Sequence, residues 1–380
     1  MINIPKLDKI ISLYLENLIL PSDPLHPMWN RENFIFSKPA KWNYIDSALI
    51  RSLLMLHELS GDEKLLDYGE KFTGAYVLED GSIPTLKHLD FNLDNINGGK
   101  NLISLYRITG HEKYRLGYEK LFAQLMEYPR LECGNFFHKA IYPHQLWLDG
   151  SYMVLPFMAE YSDISGNKHI LDDVLRQLKN IIYLMKDPES GLYYHGYDES
   201  RSDVWADFVT GLSGEFWLRA MGWYCAALAD LCEISLKNEE LFNLCKETLY
   251  HLLDSLSQFI TEKNMLLQLP AKPNIDGNYP ETSGTLLFAY SALKFCRLGL
   301  GSEKIKFEGI RTLSAVAENY ITIEHNIPVL KNICLMAGLG GKNHRNGTAE
   351  YYLSEPVVEN DAKGIAPLIM AYTELKKILH

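Results

Sequence analysis

The sequence predicts an all-α protein, organised as an (α/α)6 barrel of six helical hairpins. Three observations lead to this fold class: apolar residues recur with a helical period, short connections share one pattern, and long connections alternate with the short ones. No Pro-, Gly- or Ser-rich linker interrupts the 380 residues. We therefore expect a single domain over residues 1–380.

The helical period is present from one end of the chain to the other, whereas the alternation typical of strands is nearly absent. An all-α fold follows from this contrast. The predicted helices cover residues 6–19, 44–59, 63–77, 95–108, 112–128, 149–163, 167–185, 216–234, 239–259, 281–298, 303–322 and 365–379.

The short connections resemble each other, as in Ser60-Gly61-Asp62, Thr109-Gly110-His111, Ser165-Gly166-Asn167 and Gly301-Ser302-Glu303. Each places a glycine that stops one helix ahead of a polar candidate for capping the next. A repeated helical hairpin indicates a closed or stacked array.

The long connections precede the helices that start near 44, 95, 149, 216, 281 and 365. In a ring of hairpins all of these loops emerge on one face, where they are expected to surround a pocket. Polar and aromatic residues concentrate in the same places, namely Trp42, Tyr44, Asp94, His138, Lys139, Asp149, His195, Trp217, Arg219, Trp223, Glu281, Ser283, Glu355 and Glu359.

Charge and composition exclude several classes of partner. The formal net charge is -11 and neither terminus carries a basic run, so nucleic acid is not an expected partner. Residues 1–20 mix charged side chains among apolar ones, which fits neither a signal peptide nor a membrane span. The six cysteines form no C-x-x-C pair, and we expect them to be reduced in a cytoplasmic protein.

Two aspartates stand at the starts of neighbouring inner helices. Asp149 and Asp94 each admit a structural explanation as an N-cap, because aspartate accepts backbone N–H bonds at a helix start. They also admit a catalytic explanation, because a glycosidic bond is commonly cleaved between two carboxyl groups that share a pocket.

His195 and Arg219 are similarly open to two interpretations. A lone histidine is often structural, yet tryptophans follow His195 closely, and aromatic faces are what a sugar ring packs against. Arg219 is expected either in a helix-surface salt bridge or as a bidentate partner of a substrate carboxylate.

Other chemistries have little support in the sequence. H-E-x-x-H, a Cys/His cluster and an EF-hand loop are all missing, so no metal is expected. Gly338-Leu339-Gly340-Gly341 follows no clear strand and lacks the Lys-Ser/Thr of a P-loop, and Gly-x-Ser-x-Gly is absent. We expect no cofactor. Acid/base chemistry by carboxyl groups is the chemistry that the sequence still supports.

Several separated motifs resemble the unsaturated rhamnogalacturonyl hydrolases of glycoside hydrolase family 105, which are related to the unsaturated glucuronyl hydrolases. The motifs are Trp42-x-Tyr44, Asn92-Leu93-Asp94-Asn95, Gln145-Leu146-Trp147-Leu148-Asp149-Gly150, Trp217-x-Arg219-x-x-Gly222-Trp223-Tyr224, Glu281-Thr282-Ser283-Gly284-Thr285 and Ser354-Glu355-Pro356-Val357-Val358-Glu359-Asn360-Asp361.

The resemblance implies an (α/α)6 barrel that removes the terminal 4,5-unsaturated uronic acid from pectin oligosaccharides produced by lyases. Protonation of C4 would make an oxocarbenium ion at C5, and water would add there. Asp149 matches the general acid, Asp94 matches a second acidic residue, and His195 joins them as a candidate catalytic residue. The implied substrate-binding residues are Trp42, Tyr44, His138, Lys139, Trp217, Arg219 and Trp223.

Two alternatives keep the same barrel. Epimerases of the N-acylglucosamine 2-epimerase type share this architecture and use histidines for proton transfer, and fold alone does not decide function. A non-catalytic sugar-binding barrel is the other. The sequence leaves open which sugar follows the unsaturated uronate; rhamnose is the best-known one in the family.

Overall fold

The structure, a computed structural model, describes residues 2–235 and 238–379. Its α-helices are α1 (Ile4–Tyr14), α2 (Arg31–Ile35), α3 (Tyr44–Ser60), α4 (Glu63–Gly74), α5 (Leu93–Ile96), α6 (Gly99–Thr109), α7 (Glu112–Glu127), α8 (Gly150–Ser165), α9 (His169–Met185), α10 (Leu218–Ile234), α11 (Glu239–Ser257), α12 (Thr282–Arg297), α13 (Glu303–Asn319), α14 (Ala349–Ser354) and α15 (Ala362–Leu379).

Six of these helices form a closed inner ring. Helices α3, α6, α8, α10, α12 and α15 each pack against the next, and α15 packs back against α3. Helices α4, α7, α9, α11 and α13 each lie outside the inner helix that precedes them. The all-α barrel predicted from the helical period is confirmed.

The sixth helix pair differs from the other five because it joins the two ends of the chain. The Tyr372 hydroxyl on α15 donates a 2.8 Å hydrogen bond to Asp8 on α1, and Lys376 lies 3.4 Å from the same carboxylate. Five hairpins and one pair of distant helices therefore close the ring, where the sequence predicted six hairpins.

The hairpin turns follow the predicted capping chemistry in part. Gly61 and Gly110 adopt the left-handed conformation that ends α3 and α6, with φ of 67° and 70°. The Asp62 side chain caps α4 by accepting from the Lys64 amide at 3.1 Å. The His111 side chain makes no capping hydrogen bond to α7.

The helix predicted at 95–108 is interrupted. It begins as the short α5 and resumes as α6 at Gly99, because the Trp42 indole occupies the space between the two. The indole N–H of Trp42 donates to the Asn95 carbonyl at 2.7 Å, and a Cβ atom at Gly98 would lie 2.1 Å from the ring. Gly98 is therefore required for this close approach.

Short antiparallel strands, which the sequence did not predict, pair the loops. The pairs are β1 (Gln145–Trp147) with β2 (Gly196–Asp198), β3 (Ile321–Glu324) with β4 (Ile327–Leu330), and β5 (Ile333–Cys334) with β6 (Val357–Val358). In the first pair Trp147 stands opposite Gly196, and the Leu148 amide donates to the His195 carbonyl at 2.9 Å. This ladder holds Asp149 and His195 next to each other.

Two further observations concern the whole described chain. None of its helices combines the length and apolar character needed to cross a membrane. The six cysteines are all unpaired, and four of them are buried.

Candidate active site

A cavity of about 250 Å³ opens where the inner helices α3, α8 and α10 begin. Its walls come from the long loops and from the segment before α3. The lining residues are Asn30, Glu32, Asn33, Lys38, Lys41, Asn43, Tyr44, Ile45, Asn92, Asp94, Asn95, His138, Lys139, Tyr142, Trp147, Asp149, Trp217, Arg219, Trp223, Met336, Ala337, Gly338 and Arg345.

Asp149 immediately precedes α8, but its side chain makes no capping hydrogen bond. The N-cap explanation therefore does not account for this carboxyl group. Only 17% of the side chain is exposed, and Oδ1 has no hydrogen-bond partner among the described residues. Burial, reinforced by the negative charge of Asp94, raises the pKa of Asp149 to about 7.

Asp94 lines the same cavity, but its carboxylate is in direct contact with a positively charged side chain. Its carboxylate is 2.6 Å from Lys139 Nζ and 3.7 Å from His138 Nε2. Burial alone would raise its pKa, but neighbouring groups, above all the Lys139 ammonium, outweigh burial and hold the pKa of Asp94 below its usual value. The capping role at α5 belongs to Asn92, whose side chain accepts from the Asp94 amide at 3.1 Å.

Asp94 and Asp149 line one cavity, but their environments shift their pKa values in opposite directions. Near neutral pH Asp94 is ionised, while a substantial fraction of Asp149 keeps its proton. Such a separation is how a site assigns different acid/base roles to two chemically similar groups. The cavity therefore offers a proton donor next to a fixed negative charge.

Two histidines flank the Trp147 indole. The His138 ring stacks on it at 4.4 Å, and the His195 ring meets it edge-on at 5.6 Å. Burial lowers the pKa of His138 to about 3 and that of His195 well below its usual value, so both rings are neutral. His138 lines the cavity, whereas His195 is fully buried behind Asp149 and is not among the lining residues.

Arg219 lines the cavity from the first turn of α10 and is only 1% exposed, so the surface salt bridge considered for it is wrong. Its guanidinium donates to the Ser283 hydroxyl and the Leu335 carbonyl, both at 3.4 Å, and to the Cys334 carbonyl. It also lies over the Trp217 ring at 4.9 Å. These contacts hold a positive charge at the cavity wall.

The remaining predicted residues divide into two groups. Tyr44, Lys139, Trp217 and Trp223 line the cavity, the last with its ring stacked on Tyr152 at 4.6 Å. Trp42 is not among the lining residues. Its indole is 5% exposed and packs between α5 and α6, which is a structural role that the sequence motif did not reveal.

Sequence reasoning missed several wall residues. Trp147 and Tyr142 stack on each other at 5.0 Å, and the Tyr142 hydroxyl accepts from Arg345 at 2.8 Å. The segment 30–43 supplies polar and basic wall residues, including Lys38 and Lys41. Trp147 lies inside one of the family motifs, so the sequence could have identified it. No local sequence signal marked Arg345 or the segment 30–43.

Metal binding has no structural counterpart in the described ranges. No group of three or more His, Cys, Asp or Glu side chains there is arranged to hold a metal ion.

Comparison with known proteins places this architecture in a family. The model of Glycosyl Hydrolase Family 88 matches residues 26–379. A solved family 105 glycoside hydrolase from C. acetobutylicum ATCC 824 is 34% identical, with a TM-score of 0.88 over 99% of both chains. Protein Atu3128 from Agrobacterium fabrum is 40% identical over 229 residues, which are 58% of this chain and 97% of that protein.

A more distant relative carries a specific activity in its name. The unsaturated rhamnogalacturonyl hydrolase YesR from Bacillus subtilis is 25% identical over 204 residues, or 51% of this chain and 54% of that protein. The family match covers nearly the whole barrel, including Asp94 and Asp149 of the cavity. The chain therefore belongs to the glycosyl hydrolases of families 88 and 105.

Proposed function

We propose that this glycosyl hydrolase removes the terminal 4,5-unsaturated uronic acid from pectin oligosaccharides of the rhamnogalacturonan type that lyases release. The observation that carries the proposal is the pair of carboxyl groups on one cavity, Asp149 with a pKa raised to about 7 and Asp94 with a lowered pKa. The similarity to YesR supports the pectin substrate.

In the proposed reaction Asp149 donates its proton to C4 of the unsaturated ring. The double bond is part of a vinyl ether, so protonation leaves an oxocarbenium ion at C5, and water adds there with loss of a proton to the ionised Asp149. The resulting hemiketal opens and the glycosidic bond at C1 then breaks. Asp149 acts first as acid and then as base, which restores its protonated form.

The other wall residues bind and orient the substrate. Asp94, held by Lys139, positions the ring or the attacking water, and Arg219 pairs with the uronate carboxylate. Trp217 and Trp223 offer apolar ring faces to the sugar. His195 acts through Asp149, since it is buried behind that carboxyl group and does not line the cavity.

The test follows two signals during incubation with unsaturated galacturonosyl-rhamnose. Absorbance near 235 nm reports the conjugated double bond, and released rhamnose reports cleavage at C1. Hydration requires that the chromophore disappear before or together with rhamnose release. Rhamnose appearing ahead of chromophore loss would show direct hydrolysis at C1, and an unchanged chromophore with an altered sugar would show an epimerase.

We also propose a cytoplasmic location. The six unpaired cysteines favour a reducing compartment, because exposed or half-buried thiols such as Cys133 and Cys296 oxidise outside the cell. The proposed substrate is then a disaccharide or short oligosaccharide taken up after extracellular cleavage.

A further inference from the structure

The glycine-rich segment Gly338-Leu339-Gly340-Gly341 wraps around the guanidinium of Arg345. A Cβ atom at Gly338 would lie 2.3 Å from Arg345 Nη1, and one at Gly341 would lie 3.5 Å from Nη2. Gly340 and Gly341 also adopt φ values of 57° and 74°, which favour glycine. The segment therefore leaves room for a planar cation at this point of the wall.

The cation is held by neutral oxygen atoms. Arg345 Nε donates to the Gly340 carbonyl at 3.0 Å, and Nη2 donates to the Tyr142 hydroxyl at 2.8 Å and to the Leu339 carbonyl at 3.3 Å. Within residues 2–235 and 238–379, no carboxylate forms an ion pair with Arg345, and Nη1 has no acceptor. A half-buried, oriented guanidinium with a free donor is suited to bind an anion.

The position of Arg345 indicates which part of the substrate it faces. It lines the catalytic cavity and also an open groove of about 500 Å³ outside it. The side chains that line the groove are those of Asn343, His344, Arg345, Asn346, Thr348, Glu350, Tyr351, Ser354 and Glu355. Arg345 therefore lies at the junction between the cavity that contains Asp149 and this open groove, which offers room for the saccharide after the unsaturated uronate.

Two carboxyl groups also border this groove. Glu350 is exposed, and Glu355 is half-buried with a pKa raised by burial, partly countered by its bond with Tyr351 and by Arg345. Neither pairs directly with Arg345 among the described contacts. The guanidinium thus has no direct ion-pair partner at the junction among the described residues.

We propose that Arg345, held in its glycine cradle, forms a second anion subsite that binds a carboxylate on the saccharide that follows the unsaturated uronate. This inference rests on the proposed function, and it makes oligosaccharides with a second acidic group the preferred substrates. Arg219 serves the carboxylate of the unsaturated ring, and Arg345 serves the next acidic sugar within reach.

The test compares substrates that differ in the second charge. Unsaturated galacturonosyl-rhamnose has a neutral leaving sugar; unsaturated digalacturonate and a trisaccharide with galacturonate after the rhamnose carry a second carboxylate. For Arg345→Gln, the fall in kcat/KM should be at least about tenfold larger on one or both acidic substrates than on the neutral one. Arg345→Lys should recover part of the loss, because it restores charge without the planar fork.

Arg107→Gln, which removes a surface guanidinium 3.0 Å from Asp163, is the matched control and should affect no substrate. Equal losses of Arg345→Gln on neutral and acidic substrates, or no loss on any, would overturn the proposal.

Calorimetric binding of saturated digalacturonate separates the subsite from the proposed reaction. Suppose that the wild-type protein consumes no unsaturated substrate, but that Arg345→Gln binds digalacturonate tenfold more weakly and a neutral disaccharide equally well. The subsite would then be retained and the proposed function rejected. Undiminished digalacturonate binding in that variant would reject the subsite.

Discussion

Nε2 of His195 lies 3.8 Å from Oδ1 of Asp149, and neither atom has a hydrogen-bond partner among the described residues. The other ring nitrogen of His195 lies 2.6 Å from the Tyr352 hydroxyl. We infer that this hydroxyl donates to Nδ1, which leaves the ring proton on Nε2. An N–H donor then faces the carboxyl group of Asp149, the proposed general acid.

Tyr352→Phe removes the group that sets this tautomer. Loss of an oriented donor disfavours ionised Asp149, so its pKa should rise, the alkaline limb of the kcat profile should move to higher pH, and kcat should fall about tenfold with KM nearly unchanged. The pH profile of 235 nm turnover is the measurement. Tyr193→Phe, another buried tyrosine, is the control, and a profile that does not move in Tyr352→Phe would contradict the inference.

The pH dependence of the wild-type enzyme should follow ionisation of Asp149. Because the proposed general acid must be protonated and its pKa is raised to about 7, kcat should decrease as pH rises through about 7. Initial rates of chromophore loss between pH 5 and 9, corrected for substrate absorbance, provide the measurement. A kcat that rises steadily across this range would show that Asp149 acts only as a base.

Asp149→Asn keeps the shape of the side chain but removes the transferable proton. Turnover should drop at least about 100-fold, the low end for general acid catalysis, while the fold survives because the side chain does not cap α8. Chromophore loss and circular dichroism report the two effects. Asp62→Asn, at a true cap on the outside of the barrel, should retain activity. Near wild-type turnover in Asp149→Asn would redirect attention to Asp94 or His195.

The same substitution should change stability in a pH-dependent way. The pKa of Asp149 is raised from 3.8 to about 7, so the folded state holds this proton more tightly and ionisation at higher pH destabilises it. The cost grows between pH 4 and 7 and reaches up to about 4 kcal/mol above that range. The Tm of Asp149→Asn minus that of wild type should therefore increase from pH 4 to 8, and a constant difference would contradict burial as the cause.

Arg219→Ala should weaken binding of a uronate more than binding of a neutral sugar. A charge-assisted hydrogen bond in a buried site contributes about 1.5–3 kcal/mol, which corresponds to a loss of roughly 10- to 150-fold. The Tm should also fall, because the carbonyls of Cys334 and Leu335 lose their donor. Calorimetry with both ligands tests this, and equal losses would assign Arg219 a purely structural role.

Local sequence patterns located the main helices and several of their turns, because helical periodicity and left-handed glycines such as Gly61 act over a few residues. The same patterns placed Asp94 and Asp149 at the starts of inner helices. They did not separate Tyr44, which lines the cavity, from Trp42, which packs between α5 and α6, since both belong to one motif.

Contacts across the barrel decided the rest. Arg345 reaches Tyr142 across 203 residues of sequence, and Tyr352 reaches His195 across 157, so neither partnership leaves a local trace. The different pKa values of Asp94 and Asp149 have the same origin. The sequence supplies two aspartates, but only folding places Lys139 beside Asp94 and leaves Asp149 buried without a hydrogen-bond partner for Oδ1. The reason is that the pKa of a carboxyl group depends on its desolvation and on the charges around it.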